Sequence, residues 1–156
     1  MKTGSFIHNP KMRSFLLKFF GQKNFFWKLI TPLLKLQKNM KTDCIFCKIV
    51  RGEMSSKKVY ENEKVIAFHD INPQAPVHIL VVPKKHIEKI TDLEDSEEDK
   101  EILYDIIKTC KIIANQMKIA ERGFRIVVNT NPEGGQTVYH LHFHIIGGRQ
   151  MRWPPG

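Results

Sequence analysis

The N-terminal end of the chain lacks acidic side chains. Residues 1–42 carry eight lysines and Arg13, whereas residues 43–156 carry sixteen basic and sixteen acidic residues. The formal net charge of +9 therefore comes entirely from the first 42 residues. A nucleic-acid-binding domain concentrates positive charge on its folded surface. The neutral remainder argues against a basic groove, so we expect no nucleic-acid partner.

The chain is also poor in cysteine and has no long hydrophobic run. No uncharged apolar stretch reaches the length of about 18 residues that a membrane-spanning helix needs. Of three cysteines, Cys44 and Cys47 form a Cys-x-x-Cys pair. An odd count with this spacing is typical of an intracellular thiol or metal site and not of a disulfide framework. A chain of 156 residues suits one compact domain.

Residues 1–40 form a basic, apolar extension in which lysines alternate with clusters of Phe, Leu and Trp, and Pro32 interrupts any helix. Positive charge beside an apolar face is typical of an import segment or a membrane-surface helix. A disordered tail or an over-extended start explains the same composition. We expect a cytoplasmic protein, with a mitochondrial location as the alternative if the extension directs import. Any membrane contact is expected only through these residues.

Residues 41–156 predict a single α+β domain. The segment 44–50 predicts a short helix, and "KVYENEKVIAFHDI" and "HILVVPKKH" are β-rich runs separated by "NPQAP". Residues 96–120 have apolar side chains at helical spacing, with Ser96 as the N-cap. "GFRIVVNTN" and "VYHLHFHII" predict two more strands joined by "PEGGQT". This order predicts an antiparallel sheet of about five strands covered by a long helix.

Three histidines, His140, His142 and His144, alternate with Leu141 and Phe143. Side chains of a strand alternate between its faces, so the imidazoles are expected on one face and the apolar pair in the core. Structural packing explains one such histidine well and three poorly. The three histidines therefore predict either a metal site with an open position or a histidine nucleophile whose neighbours orient it and bind oxyanions.

The loop before the histidines favours the nucleophile. Gly134 and Gly135 allow close approach of the backbone to a ligand, and their amides, with those of Gln136 and Thr137, are suited to a phosphate. Imidazole titrates near neutrality and attacks phosphorus well, and water breaks the resulting phosphoramidate. A two-step transfer through histidine follows from this arrangement.

These motifs resemble the histidine-triad (HIT) superfamily, and within it the branch of histidine-triad nucleotide-binding proteins. The segment "HLHFHII" matches the superfamily pattern at each position, and "AFHDINPQAPVHILVVPKKHI", "VVN", "GGQTVYHLHFHIIGGRQM" and "WPPG" resemble the branch. The likeness covers residues 44–156. Thr137 stands where the branch has serine, which keeps a hydroxyl, and Arg152 stands where it commonly has histidine.

The resemblance implies a phosphoramidase. It would hydrolyse purine nucleoside phosphoramidates and aminoacyl or lysyl adenylates through a covalent nucleotidyl-histidine. His142 would be the nucleophile and His140 would hold its tautomer. His144 and His78 would contact phosphate oxygens, and Thr137 would help protonate the leaving amine. The alternatives are a dinucleoside polyphosphate hydrolase, which "GGRQM" and "WPPG" argue against, and a non-enzymatic zinc- or nucleotide-binding interaction protein.

The resemblance also implies a binding site for a purine nucleoside monophosphate. Asp70 would accept both ribose hydroxyls. The base pocket would be formed by Ile45, Phe46, Ile49, Phe68, His69 and Ile71, although core packing explains Ile49 and Phe68 equally well. The phosphate side would be formed by Asn129, Gly135, Gln136, Thr137 and Val138. The tail with Trp153 would reach toward the partner's site in a homodimer whose strands join into one continuous sheet.

Zinc-bearing relatives imply a structural metal at Cys44, Cys47, His86 and His140. Two thiolates and two imidazoles make a closed tetrahedral site, which leaves His142 free. The alternative is a pair of buried, reduced cysteines on a helix. No cofactor is expected to be required for catalysis. Cys110, on the apolar face of the long helix, is explained most simply as core.

Overall fold

The structure is a computed structural model that describes residues 43–155. The extension 1–40, with its import, membrane and tail hypotheses, lies outside the described residues. Among the described residues, no helix has the length and apolar character needed to cross a membrane.

Five antiparallel strands form one sheet in the order β1-β2-β3-β5-β4. The elements in chain order are α1 (Ile45–Val50), β1 (Lys58–Glu61), β2 (Val65–His69), β3 (Val77–Pro83), a 3₁₀ helix (Ile90–Asp92), α2 (Glu97–Gln116), β4 (Phe124–Val127) and β5 (Phe143–Gly147). The α+β class, the five strands, the short helix and the long helix are confirmed. The predicted homodimer stays a prediction.

The long helix α2 covers one face of the sheet. Ser96 caps it by accepting the main-chain N–H of Asp99. Its buried side chains pack on alternate residues of the central strands, and the shared core contains Val65, Ala67, Ile79, Val81, Ile102, Ile106, Ile113, Leu141, Phe143 and Ile145. Each fully buried Ile or Leu contributes about 2–3 kcal/mol of hydrophobic free energy, so this layer carries most of the stability.

The opposite face of the sheet positions the functional residues. The intervening residues of β2 and β3 point to it and pack with α1, in a second cluster formed by Phe46, Ile49, Ile66, Phe68, Leu80 and Val82. His78 of β3 alternates with Ile79 and Val81 and so shares this face. In the pairing of β3 with β5, His78 is opposite Ile146 and therefore diagonal to His144.

The strand predicted over "VYHLHFHII" is shorter in the structure, because β5 begins only at Phe143. The preceding backbone leaves the sheet. The His140 N–H donates to the Val138 carbonyl at 2.9 Å, and the Leu141 N–H donates to the Ile87 carbonyl at 2.6 Å. His140 and His142 thus lie on irregular extended backbone before the strand. The alternation of faces nevertheless holds, since Leu141 and Phe143 are in the α2 core.

An ion pair ties the segment after β3 to the start of α2. Lys85 Nζ lies 2.6 Å from Asp99 Oδ1, and the Glu94 N–H donates to Asp99 Oδ2 at 2.9 Å. Burial opposes ionisation of Asp99, yet the Lys85 ammonium and the Glu94 N–H hold the pKa of its carboxyl below the usual value. The pair fixes the backbone next to His86.

We expect Asp99→Ala to lower the free energy of unfolding by about 2–3 kcal/mol, because it removes the buried carboxylate that pairs with the Lys85 ammonium and leaves the Glu94 N–H without its acceptor. Urea denaturation measures the change. Glu98→Ala is the matched control, since Glu98 also contacts Lys85 but its side chain is 68% exposed; its effect should stay below about 0.5 kcal/mol. Equal effects of the two substitutions would contradict this account.

Candidate active site and metal centre

His142 is held with one ring nitrogen committed and the other available. Its Nδ1 lies 2.6 Å from the main-chain carbonyl oxygen of His140. A carbonyl oxygen only accepts hydrogen bonds, so Nδ1 carries the proton and Nε2 of the neutral ring carries the lone pair. Burial lowers the pKa of His142. The ring is therefore neutral at physiological pH, with its lone pair on Nε2.

His78 and His144 form a second imidazole pair beside it. His78 Nε2 is 2.8 Å from His144 Nδ1, and Asp70 Oδ2 is 3.4 Å from His78 Nε2. The rings of His142 and His144 are 4.9 Å apart between centroids. Burial lowers the pKa of His78, and burial together with the neighbouring imidazoles lowers the pKa of His144 to about 4. These imidazoles are neutral donors and acceptors near pH 7.

Four potential metal ligands converge on the other side of His140. The ligand atoms of Cys44, Cys47, His86 and His140 all lie within 4.8 Å of one another. His140 Nδ1 is 3.4 Å from Cys44 Sγ, 3.5 Å from Cys47 Sγ and 3.2 Å from His86 Nδ1. Cys47 Sγ is 3.3 Å from His86 Nδ1. The structure thus brings together all four residues for which a metal was predicted.

The chemistry of this cluster fits a zinc ion. His140 Nε2 is 2.8 Å from the Pro83 carbonyl oxygen, so Nε2 carries the proton and Nδ1 directs a lone pair into the cluster. In tetrahedral zinc sites, bond lengths of about 2.3 Å to sulfur and 2.0–2.1 Å to nitrogen place a nitrogen ligand about 3.3–3.6 Å from a neighbouring nitrogen or sulfur. The observed separations of 3.2–3.5 Å have this size. These residues therefore allow a structural zinc.

The predicted base pocket contains a buried aromatic pair. Phe46 and Phe68 pack edge to face, with ring centroids 5.7 Å apart, and Ile49 packs in the same cluster. Phe46 also packs edge-on against His142, 5.2 Å between centroids, and against His140 at 5.9 Å. Phe46 lies between Cys44 and Cys47 in the sequence. Its ring contacts both His140, which faces the cysteine sulfurs, and His142.

Other residues predicted for the base pocket lie at the surface. Ile45 is 42% exposed and Ile71 is fully exposed, and His69 at the end of β2 is exposed too. Trp153, in the C-terminal segment, is 84% exposed. The structure therefore places Phe46, Ile49 and Phe68 in one buried cluster and leaves Ile45, His69, Ile71 and Trp153 exposed within one chain.

The loop after β4 has the tight geometry that its glycines predicted. Gly135 has a positive φ of 76°, which favours glycine, and Asn129 lies beside it. Thr137 is exposed, and Val138 packs against the cluster under α1.

Gln136 differs from the phosphate contact that was predicted. Its side chain is buried, and Oε1 accepts the Asn131 N–H at 2.9 Å. Its Nε2 donates to the carbonyls of Glu88 and Val138, and its main-chain N–H donates to the Asn131 carbonyl. Because its side-chain amide and its main-chain N–H are both hydrogen-bonded within the protein, Gln136 stabilises the loop.

We expect Gly134→Ala to weaken binding of adenosine 5'-monophosphate at least about 10-fold, because the loop must shift. A Cβ at this position would collide with the Thr130 carbonyl oxygen and lie 2.9 Å from the Thr130 nitrogen. Calorimetric titration measures the affinity. Glu133→Ala, in the same loop at an exposed side chain, is the control. Unchanged affinity in Gly134→Ala would remove this loop from the binding site.

Sequence reasoning missed the part played by Pro83. The Pro83 carbonyl fixes the tautomer of His140 and leaves the lone pair on Nδ1, the atom that faces the cysteine sulfurs. A main-chain carbonyl is present at each residue, so nothing in the sequence distinguishes the one that meets an imidazole. The fold alone supplies it.

Comparison with known proteins identifies the family. The model of the HIT domain matches residues 51–151. The 14 kDa zinc-binding protein of Brassica juncea is 52% identical over 115 residues, which is 73% of this chain and 100% of that protein. Adenylylsulfatase HINT1 of Arabidopsis thaliana is 52% identical over 113 residues, 72% of this chain and 76% of that protein.

Solved structures agree with these relatives. A HIT family hydrolase from Legionella pneumophila Philadelphia 1 has a TM-score of 0.70 and 49% identity, and the match covers 73% of this chain and 100% of that one. The histidine triad nucleotide-binding protein of Candida albicans has a TM-score of 0.62 and 33% identity, covering 72% and 83% of the two chains. The chain belongs to the HIT domain family.

Proposed function

We propose that the protein is a hydrolase of nucleoside 5'-monophosphate derivatives, and that purine nucleoside phosphoramidates and aminoacyl or lysyl adenylates are its substrates. The observation that carries the proposal is the tautomer of His142. The hydrogen bond from Nδ1 to the His140 carbonyl, at 2.6 Å, leaves a lone pair on Nε2 of a buried neutral ring. This is the state that an attack on phosphorus needs.

The reaction would take two steps. His142 Nε2 attacks the α-phosphorus, a P–N bond to histidine forms, and the bond from phosphorus to the leaving amine breaks. The amine leaves with the proton of the Thr137 hydroxyl, and the water that attacks in the second step returns a proton to Thr137. Water then attacks the nucleotidyl-histidine, and the nucleoside monophosphate departs as the P–Nε2 bond breaks. The neutral imidazole of His144 would donate a hydrogen bond to a phosphate oxygen, with His78 beside it on the phosphate side, and Asp70 would accept the ribose hydroxyls.

A structural zinc is part of the proposal. Cys44, Cys47, His86 and His140 would hold it, and four protein ligands leave no open position, so the ion would supply a cross-link and no Lewis-acid chemistry. The His140 carbonyl would still accept the His142 N–H. The zinc-binding name of the relative from Brassica juncea supports the assignment.

Hydrolysis of adenylyl sulfate is a second candidate, favoured by the name of the Arabidopsis thaliana relative. The two substrates differ in their leaving groups. An amine must gain a proton to leave, whereas sulfate leaves as a stable anion. Loss of the Thr137 hydroxyl should therefore slow only the phosphoramidate reaction.

A substrate panel tests these candidates. The full chain and Thr137→Val are offered adenosine 5'-phosphoramidate, adenylyl sulfate and diadenosine tetraphosphate, with release of adenosine monophosphate followed by chromatography. We expect the phosphoramidate to be turned over with the highest kcat/KM, and Thr137→Val to reduce that reaction about 10-fold or more. A preference for adenylyl sulfate would make the second candidate the function. A preference for the tetraphosphate would overturn both.

We further propose a cytoplasmic homodimer. Strand β4 is an edge of the sheet, and its Ile126 is 40% exposed. An unpaired edge with an exposed apolar side chain is suited to pairing with a second copy, which would extend the sheet.

A further inference from the structure

The main chain of Gln74 meets a ring nitrogen of His78. The Gln74 N–H donates to His78 Nδ1 at 3.0 Å. A main-chain amide only donates, so Nδ1 must carry the lone pair. A neutral imidazole has one N–H, which therefore lies on Nε2.

The position of this proton determines the next ring. His78 Nε2–H faces His144 Nδ1 at 2.8 Å, with Asp70 Oδ2 farther away at 3.4 Å. His144 Nδ1 must accept, so the proton of His144 lies on its Nε2. Within residues 43–155, His144 Nε2 is buried and has no hydrogen-bond partner. An unpaired buried donor is unfavourable, and an acceptor on a ligand would satisfy it.

We propose that the main-chain N–H of Gln74 is a positioning group that sets the tautomers of His78 and His144, so that His144 Nε2–H is presented to a phosphate oxygen and metal ions are kept out of this cluster. The identity of the acceptor rests on the proposed function, whereas the tautomers do not. The chain of donors runs from Gln74 through His78 to His144 in one direction.

The same geometry explains how metal is excluded. Ligand atoms of Asp70, His78 and His144 lie within 4.8 Å of one another, as in a metal site. A metal on His78 Nε2 would need the lone pair there, and the ring proton would move to Nδ1. That proton would face the Gln74 N–H across 3.0 Å, donor against donor. In the cysteine cluster the opposite holds, since the Pro83 carbonyl leaves His140 Nδ1 free for a metal.

The loop that carries Gln74 is fixed from both sides. Asp70 Oδ1 accepts the Asn72 N–H at 2.8 Å, and the Gln74 side chain donates to the Asn72 carbonyl at 2.9 Å. Arg149, after β5, donates to the Gln74 carbonyl at 3.3 Å. The amide is thus held in place against His78.

The test compares Gln74→Pro, which removes the N–H, with Gln74→Ala, which keeps it, in the full chain. Nitrogen-15 NMR of the imidazoles reads the tautomers directly, and zinc equivalents per chain and kcat/KM for adenosine 5'-phosphoramidate are measured on the same samples. In the wild type and Gln74→Ala we expect Nε2-protonated His78 and His144. In Gln74→Pro we expect mixed tautomers, one zinc equivalent more than the wild type, and about a 10-fold loss of kcat/KM.

If NMR shows that His78 of the wild type is protonated on Nδ1, the proposal is overturned. This measurement does not require the Gln74→Pro variant to fold. Gln74→Pro with wild-type tautomers and unchanged zinc content would overturn it as well. If the tautomers are as expected but no phosphoramidate is turned over, the proposed function fails while the role of Gln74 stands.

Discussion

His142→Ala is expected to lower kcat/KM for adenosine 5'-phosphoramidate by at least about 10⁴-fold, because the substitution removes the atom that forms the covalent bond to phosphorus. The neighbouring imidazoles do not replace it. His144 Nδ1 accepts a hydrogen bond from His78, and the ring proton of His144 is on Nε2, so neither nitrogen offers a lone pair to phosphorus. Single-turnover and steady-state release of amine measure the loss.

Two further measurements separate loss of the nucleophile from loss of structure. His142→Gly, supplied with free imidazole, should regain part of the activity, since the added ring occupies the vacated space. The wild type, quenched in alkaline denaturant during turnover, should carry a nucleotidyl group on His142. Tyr139→Phe, at a half-exposed side chain with no assigned role, is the control. Turnover by His142→Ala within about 10-fold of the wild type would refute the nucleophile.

The layering of the domain could be predicted because side-chain periodicity reports burial directly. The helical spacing in residues 96–120 and the capping Ser96 predicted α2, which is present at Glu97–Gln116. The extent of β5 could not be predicted in this way. Side chains alternate between faces in any extended backbone, so alternation does not show where a strand begins. Before β5, the main-chain N–H groups of His140 and Leu141 donate to the Val138 and Ile87 carbonyls and not to a neighbouring strand.

The functional site, like the fold, has features that the sequence predicts and features that it does not. Side chains with unusual chemistry, such as the histidines and the Cys-x-x-Cys pair, are visible in the sequence, and the structure places them in two adjacent clusters. Main-chain groups of His140, Pro83 and Gln74 determine which ring nitrogen carries the proton in the histidines that they contact. Nothing in the sequence marks these main-chain groups. Gln136 illustrates the converse, because a ligand-like side chain is used up by local backbone partners.

His140 joins the two clusters, so a metal bound by the cysteine cluster would affect the geometry of the active site. Its Nδ1 faces the cysteine sulfurs, while its main-chain carbonyl accepts from His142. Phe46 gives a second connection, since it lies between Cys44 and Cys47 and packs on His142. Anything that disorders the metal cluster should therefore disturb both the fold and the nucleophile.

Removal of zinc is accordingly expected to destabilise the protein strongly. We expect one zinc per chain, and at a free zinc concentration about 1,000-fold above Kd the bound ion adds about 4 kcal/mol to the free energy of unfolding. For a domain of this size such a loss lowers Tm by roughly 15 °C. Chelation of the wild type and the variant Cys47→Ser should both show it in calorimetry, with zinc content measured on the same samples.

Cys110→Ser is the matched control for the cysteine substitution. Cys110 is buried on α2, on the opposite side of the sheet, and burial raises the pKa of its thiol to about 11, so it is an inert core residue. This variant should keep its zinc and lose only the small packing contribution of one side chain. If chelation leaves Tm and the free energy of unfolding unchanged, the four ligands do not hold a structural ion. In that case we expect His86 to carry its ring proton on Nδ1 and donate it to His140 Nδ1 across the 3.2 Å between them.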